Sequence, residues 1–132
     1  MTDKRTSYID LYGKEYPLCL TVQAQEQICT DHGSVMALLE KVQDSAVDAL
    51  PYWVYLLHCL MEGGAARVKA LAFISGEPYA KQEVPELETL NQIVGWADIR
   101  ELMPSIYKAI GLSTSQTVET EETEKNAETA QE

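Results

Sequence analysis

Ile9 and Leu11 alternate with Tyr8, Asp10 and Tyr12, which puts apolar and polar side chains on opposite faces of an extended segment. Glu15 to Leu20 alternates again, with Tyr16, Leu18 and Leu20 on one face. Gly13-Lys14 lies between the two runs, and a Gly-X pair suits a two-residue type II′ turn because glycine takes the positive φ at no steric cost. The pattern predicts a β-hairpin. Pro17 has no N–H for the ladder, so it is expected on an open edge. A lone hairpin is marginal in water, so this one must pack on the helices after it or pair with another chain.

The period then changes from two to about 3.6. Thr21 is placed to cap a helix over Val22 to His32, with Ala24 and Ile28 inward and Gly33 as its stop. Ser34 caps the next, whose stripe is Val35, Leu38, Leu39 and Val42. Pro51 either opens a helix at its first position or kinks one begun near Ser45. Trp53, Leu57, Leu60 and Met61 make the strongest stripe, widened by Val54, and predict the centre of the core. Gly63-Gly64 reads as the end of that helix. Ala65 to Ile74 reads as another, with Val68, Leu71 and Ala72 inward, followed by a loop from Gly76. Pro85 opens a helix carrying Leu87, Leu90 and Val94, closed by Gly95. The last runs from about Asp98 to Ile110, with Ile99, Leu102, Met103, Ile106 and Ile110 on one side. Pro104 is expected to bend it. Asp98 favours its positive N-terminal end.

The expected fold class is mainly α: an N-terminal β-hairpin, then a compact bundle of five or six short helices. Residues 1–7 are expected to be a flexible N-terminus, 8–112 a single domain, and 113–132 a disordered acidic tail. That tail holds six Glu against one Lys and one large aliphatic, Val118. It cannot bury enough apolar surface to offset its chain entropy.

Composition narrows the function. The 132 residues are 45% hydrophobic, which suits one domain with one ordinary core. Acidic residues outnumber basic ones 21 to 10, a net charge of -11. This argues against nucleic acid and against anionic membrane surfaces, both of which need clustered Lys and Arg. The three cysteines, Cys19, Cys29 and Cys59, are widely spaced and odd in number, so no disulfide framework is expected. Met1 to Tyr12 has no apolar core of a signal peptide, and no apolar run reaches a membrane span. The reading is a soluble protein of a reducing compartment.

Candidate chemistry is sparse. Cys29, His32, His58 and Cys59 could be drawn as a zinc site, but the short paired spacing of zinc modules is missing. The plainer reading makes Cys29 and Cys59 small core residues and both histidines rim or surface residues. A Cys-His nucleophile needs positive surroundings, and these are acidic or apolar. Gly63-Gly64 ahead of Arg67 and Lys69 could attract an anion through free amides, yet no phosphate-binding glycine motif is present. No catalytic residue, metal or cofactor is expected, and the chain does not read as an enzyme. Tyr52, Tyr55, Tyr79 and Tyr107 fall off the main stripes or in loops, where rim packing is the plain reading and protein contact the other. Tyr79, Trp96 and Tyr107 are the candidate partner-binding residues. The hairpin edge and the surplus tyrosines make a homo-oligomer a further expectation.

The order of elements resembles a known family. The hairpin Ile-Asp-Leu-Tyr-Gly-Lys-Glu-Tyr-Pro-Leu (Ile9 to Leu18) leads into a helix ending in Gly33-Ser34. A Trp-bearing helix, Trp53 to Met61, comes next, and then Ala97-Asp98-Ile99 to Ala109-Ile110-Gly111. From Tyr8 to Gly111 this is similar to the tail assembly chaperones of long-tailed bacteriophages and prophages. The resemblance implies a protein that binds the tape measure protein and keeps it soluble while tail tube subunits are recruited. It implies residence in the cytoplasm of the bacterial host and absence from the mature virion. A structural or adaptor subunit of a larger assembly is the competing expectation.

Overall fold

The computed structural model describes residues 6–44, 48–79, 81 and 83–111. The expected tail and the first five residues lie outside that set. The order is β1 (Ser7–Leu11), β2 (Lys14–Leu18), α1 (Val22–His32), α2 (Val35–Gln43), α3 (Leu50–Ser75) and α4 (Leu87–Ile93). A fifth helix, α5, covers residues 96–111. The protein is mainly helical with an N-terminal antiparallel hairpin, as its hydrophobic periods imply.

The hairpin closes one residue earlier than expected. Leu11 pairs with Lys14, so the turn is Tyr12-Gly13 and not Gly13-Lys14. Both turn residues have positive φ, 53° at Tyr12 and 81° at Gly13, which is the type I′ pattern. The Asp10 carboxylate accepts from the Gly13 amide at 3.0 Å and steadies it. Ser7 pairs with Leu18 and is buried along with Thr6.

Pro17 is fully buried, not on an open edge. In this register Tyr8↔Pro17 falls between the bonded pairs, so the proline nitrogen faces away from β1 and costs the ladder nothing. That outer edge lies on α3. The next outward amide, that of Cys19, donates to the Leu60 carbonyl of α3 at 3.0 Å.

This contact explains the largest departure from the sequence reading. Gly63-Gly64 does not end a helix. α3 runs unbroken for 26 residues, about 39 Å. A Cβ at Gly63 would fall on the Cys19 carbonyl, and one at Gly64 on the Pro17 carbonyl. The glycines are there because strand backbone rests directly on helix backbone. Pro51 opens α3 within its first turn, and Gly76 ends it in the left-handed conformation.

The caps fall where the sequence puts them. The Thr21 hydroxyl accepts from the Ala24 amide at 3.1 Å, and Ser34 accepts from Ala37 at 3.0 Å. α3 is the centre of the core, with Trp53, Val54, Leu57, Leu60 and Met61 all buried. Against it pack Ile28 of α1, Leu38 and Val42 of α2, Leu90 of α4, and Ile99 and Ile106 of α5. α5 begins two residues before Asp98 and runs past Pro104. The Asp98 carboxylate reaches back to the Gly95 amide at 3.0 Å, the return half of a capping box.

Candidate partner-binding surface

Trp96 and Tyr107 both lie on α5, 38% and 44% exposed. They are three turns apart, about 16 Å, on the same side of the helix. Tyr107 is tied down, its ring edge-on to buried Trp53 at 5.7 Å. Tyr79 is half-buried in the segment after α3. Two of the three candidates therefore share a face, and the third sits on a different segment.

The other off-stripe tyrosines are used inside the fold. His32 stands edge-on to Tyr52 and Tyr55, with ring centroids at 5.8 and 4.6 Å. Lys41 Nζ lies 3.2 Å from His32 Nδ1 and 5.4 Å over the Tyr52 ring. The Tyr55 hydroxyl donates to Asp31 Oδ2 at 2.6 Å and lies 3.3 Å from the Gln27 carbonyl oxygen.

Tyr55, Asp31 and Gln27 border a cleft of about 670 Å³ between α1 and α3. Ala24, Cys59, Ala66 and Leu87 contribute its apolar floor, and Glu26, Asp31 and Glu62 its acidic rim. His58 Nε2 meets Glu62 Oε1 at 2.8 Å along that rim. Burial, and then the bond to Asp31, pushes the Tyr55 phenol up, while that bond and the Gln27 amide hold the Asp31 carboxyl below its ordinary range. Burial pushes the Cys59 thiol up to about 11. Cys59 thus keeps its proton at neutral pH and offers no thiolate. Cys29, expected in the core, is exposed on α1. Among the described residues no three His, Cys, Asp or Glu side chains converge as a metal site. The Gly63-Gly64 amides lie inside α3, so the anion reading, which needs them free ahead of a helix, does not apply.

The sequence reading missed the most exposed apolar surface. Beyond Ala65 no residue of α3 is fully buried. Leu71, expected inward, is 38% exposed; Phe73 and Ile74 are 87% and 78% exposed. Val68 and Ala72 are half-buried. This end of α3 outruns the layers that cover its first half. One signal was available: Leu71, Phe73 and Ile74 point in three directions at 100° per residue, and one core-facing stripe cannot take them all. Leaving Phe73 in water forgoes about 1.5–3 kcal/mol of burial.

No helix among the described residues is long and apolar enough to cross a membrane. Compared with protein-family models, curated proteins and solved structures, the chain matches none of them.

Proposed function

We propose that this protein is a holding protein for another polypeptide, and specifically a phage tail assembly chaperone whose client is the tape measure protein. The observation that carries the reading is the projecting end of α3, with Leu71, Phe73 and Ile74 exposed on a rigid helix. A long helical client has apolar faces to hide until the tail tube surrounds it, and a presented helix can lie along such a face. The net charge of -11 keeps the loaded complex apart from its neighbours. Trp96 and Tyr107 on α5 add a second aromatic contact. The proposal places the protein in the bacterial cytoplasm during assembly, recruiting tail tube subunits, and outside the finished particle. The resemblance in element order supports the client; the exposed helix end supports only the holding role.

Coexpression with the tape measure protein tests it. Soluble client should rise and co-purify with the chain, and Phe73→Ser with Ile74→Ser should abolish the gain while the chain stays folded. An insoluble client at equal expression counts against the reading. Detection of the chain in purified virions favours the structural-subunit alternative.

A further inference from the structure

The cleft and the projecting helix end belong to one continuous side of α3. At 100° per residue, Tyr55, Glu62, Ala66 and Phe73 fall within about 40° of one another, with Cys59 and Lys69 just to either side. Toward the N-terminus this side is floored by small residues and walled by α1 as the cleft. Past Ala66 the same side continues into the projecting end as Lys69, Ala70 and Phe73, all exposed.

The two halves are opposite in chemistry. Among the described residues the cleft is lined by Glu26, Asp31 and Glu62 and by no Lys or Arg. From Gly63 to Gly76 there is no acidic residue, and Arg67 and Lys69 are the only charges. The halves also match in length. The cleft runs about 17 Å along α3 from Tyr55 to Ala66, and the helix projects about 14 Å beyond. A surface whose two halves complement each other about a midpoint is what an isologous twofold contact requires.

We propose that two copies of this chain pair through α3, antiparallel about a twofold axis near Ala66. Residues equidistant from Ala66 then face each other. The Phe73 of one copy enters the cleft of the other level with Cys59, on the side lined by the small side chain of Ala24. Lys69 comes level with Gly63 and beside Glu62, whose carboxylate keeps its contact with His58 and is largely exposed on its other side. Each copy supplies one apolar end and one cleft, so the contact closes at two. The pairing covers the same end of α3 that a client would take, so a client and the second copy compete for it, and the pairing itself does not depend on which client that is.

Sedimentation velocity of the full chain over the micromolar range tests the proposal. The wild-type chain is expected as a dimer. Phe73→Ser should weaken it roughly tenfold or more, since that ring leaves water only in the dimer. Because Phe73 is so exposed, the far-ultraviolet circular dichroism of this variant should be unchanged. Lys69→Glu should also weaken the dimer, and adding Glu62→Lys should restore it by exchanging the charges. A wild-type monomer throughout overturns the proposal and leaves this face to a foreign helix. A dimer indifferent to Phe73→Ser overturns it too, and failure of the exchanged pair to recover rules out the antiparallel register.

Discussion

His32 shows how a single side chain couples three helices to pH. It ends α1, stacks edge-on against two tyrosines of α3, and faces Lys41 of α2. Neutral Nδ1 accepts from the lysine ammonium; a protonated ring would bring two cations together. Burial first, and then Lys41, hold the folded-state value below the ordinary 6.5, with Asp31 opposing more weakly. A base with a depressed folded value binds fewer protons folded than unfolded in that window. Its contribution to stability is therefore complete above pH 6.5 and is lost as pH falls through the folded value. Urea midpoints should decline from pH 7 to pH 5, and His32→Gln should flatten that slope. An unchanged slope would place the titration elsewhere. The sequence marked Tyr52 and Tyr55 as off-stripe, but their partners come from other helices, which no local period reveals.

At the scale of the element, α3 carries most of what the sequence misread. A glycine pair in a helical pattern costs about 1 kcal/mol per residue relative to alanine, so local propensity reads it as a break. Here the loss is offset by contact with β2 and the residue after it, Cys19, whose amide reaches the Leu60 carbonyl. The consequence is a reversed expectation for substitution. Gly64→Ala would stabilise an exposed helix; in this one it should destabilise by about 1–3 kcal/mol, because the new methyl meets the Pro17 carbonyl, which is backbone and cannot rotate away. Denaturant unfolding reads the sign directly. A gain in midpoint would mean that strand and helix separate without cost. The continuous helix also explains the exposed end: a rigid element longer than its partners must leave part of itself uncovered.

Across the whole molecule, the hairpin tip is bound to the junction between α4 and α5. The Tyr12 hydroxyl lies 3.0 Å from Asp98 Oδ2 and 2.9 Å from the Ile93 carbonyl oxygen, joining the hairpin turn to the α4–α5 junction. Asp98 caps α5 through Gly95 at the same time. The tie helps hold Tyr12 at a φ of 53°, which a non-glycine residue adopts only at some cost. Tyr12→Phe should lower stability by about 0.5–1.5 kcal/mol. In a double-mutant cycle with Asp98→Asn, the combined loss should fall short of the sum. Strict additivity would show that the two groups do not act as a unit.

Features governed by short-range rules were readable in the chain alone. Thr21, Ser34 and Gly33 bound their helices because capping involves atoms a few residues apart. The stripe Trp53, Leu57, Leu60 and Met61 is the core because its period decides which side faces inward. The alternation of Ile9 and Leu11 makes the hairpin for the same reason. Tertiary structure alone decided that Gly63-Gly64 is a seat for β2, that Pro17 is covered, and that Leu71, Phe73 and Ile74 meet water. Those outcomes depend on which backbone lies across each position and where that cover runs out, and neither is encoded in the spacing of residues along one helix.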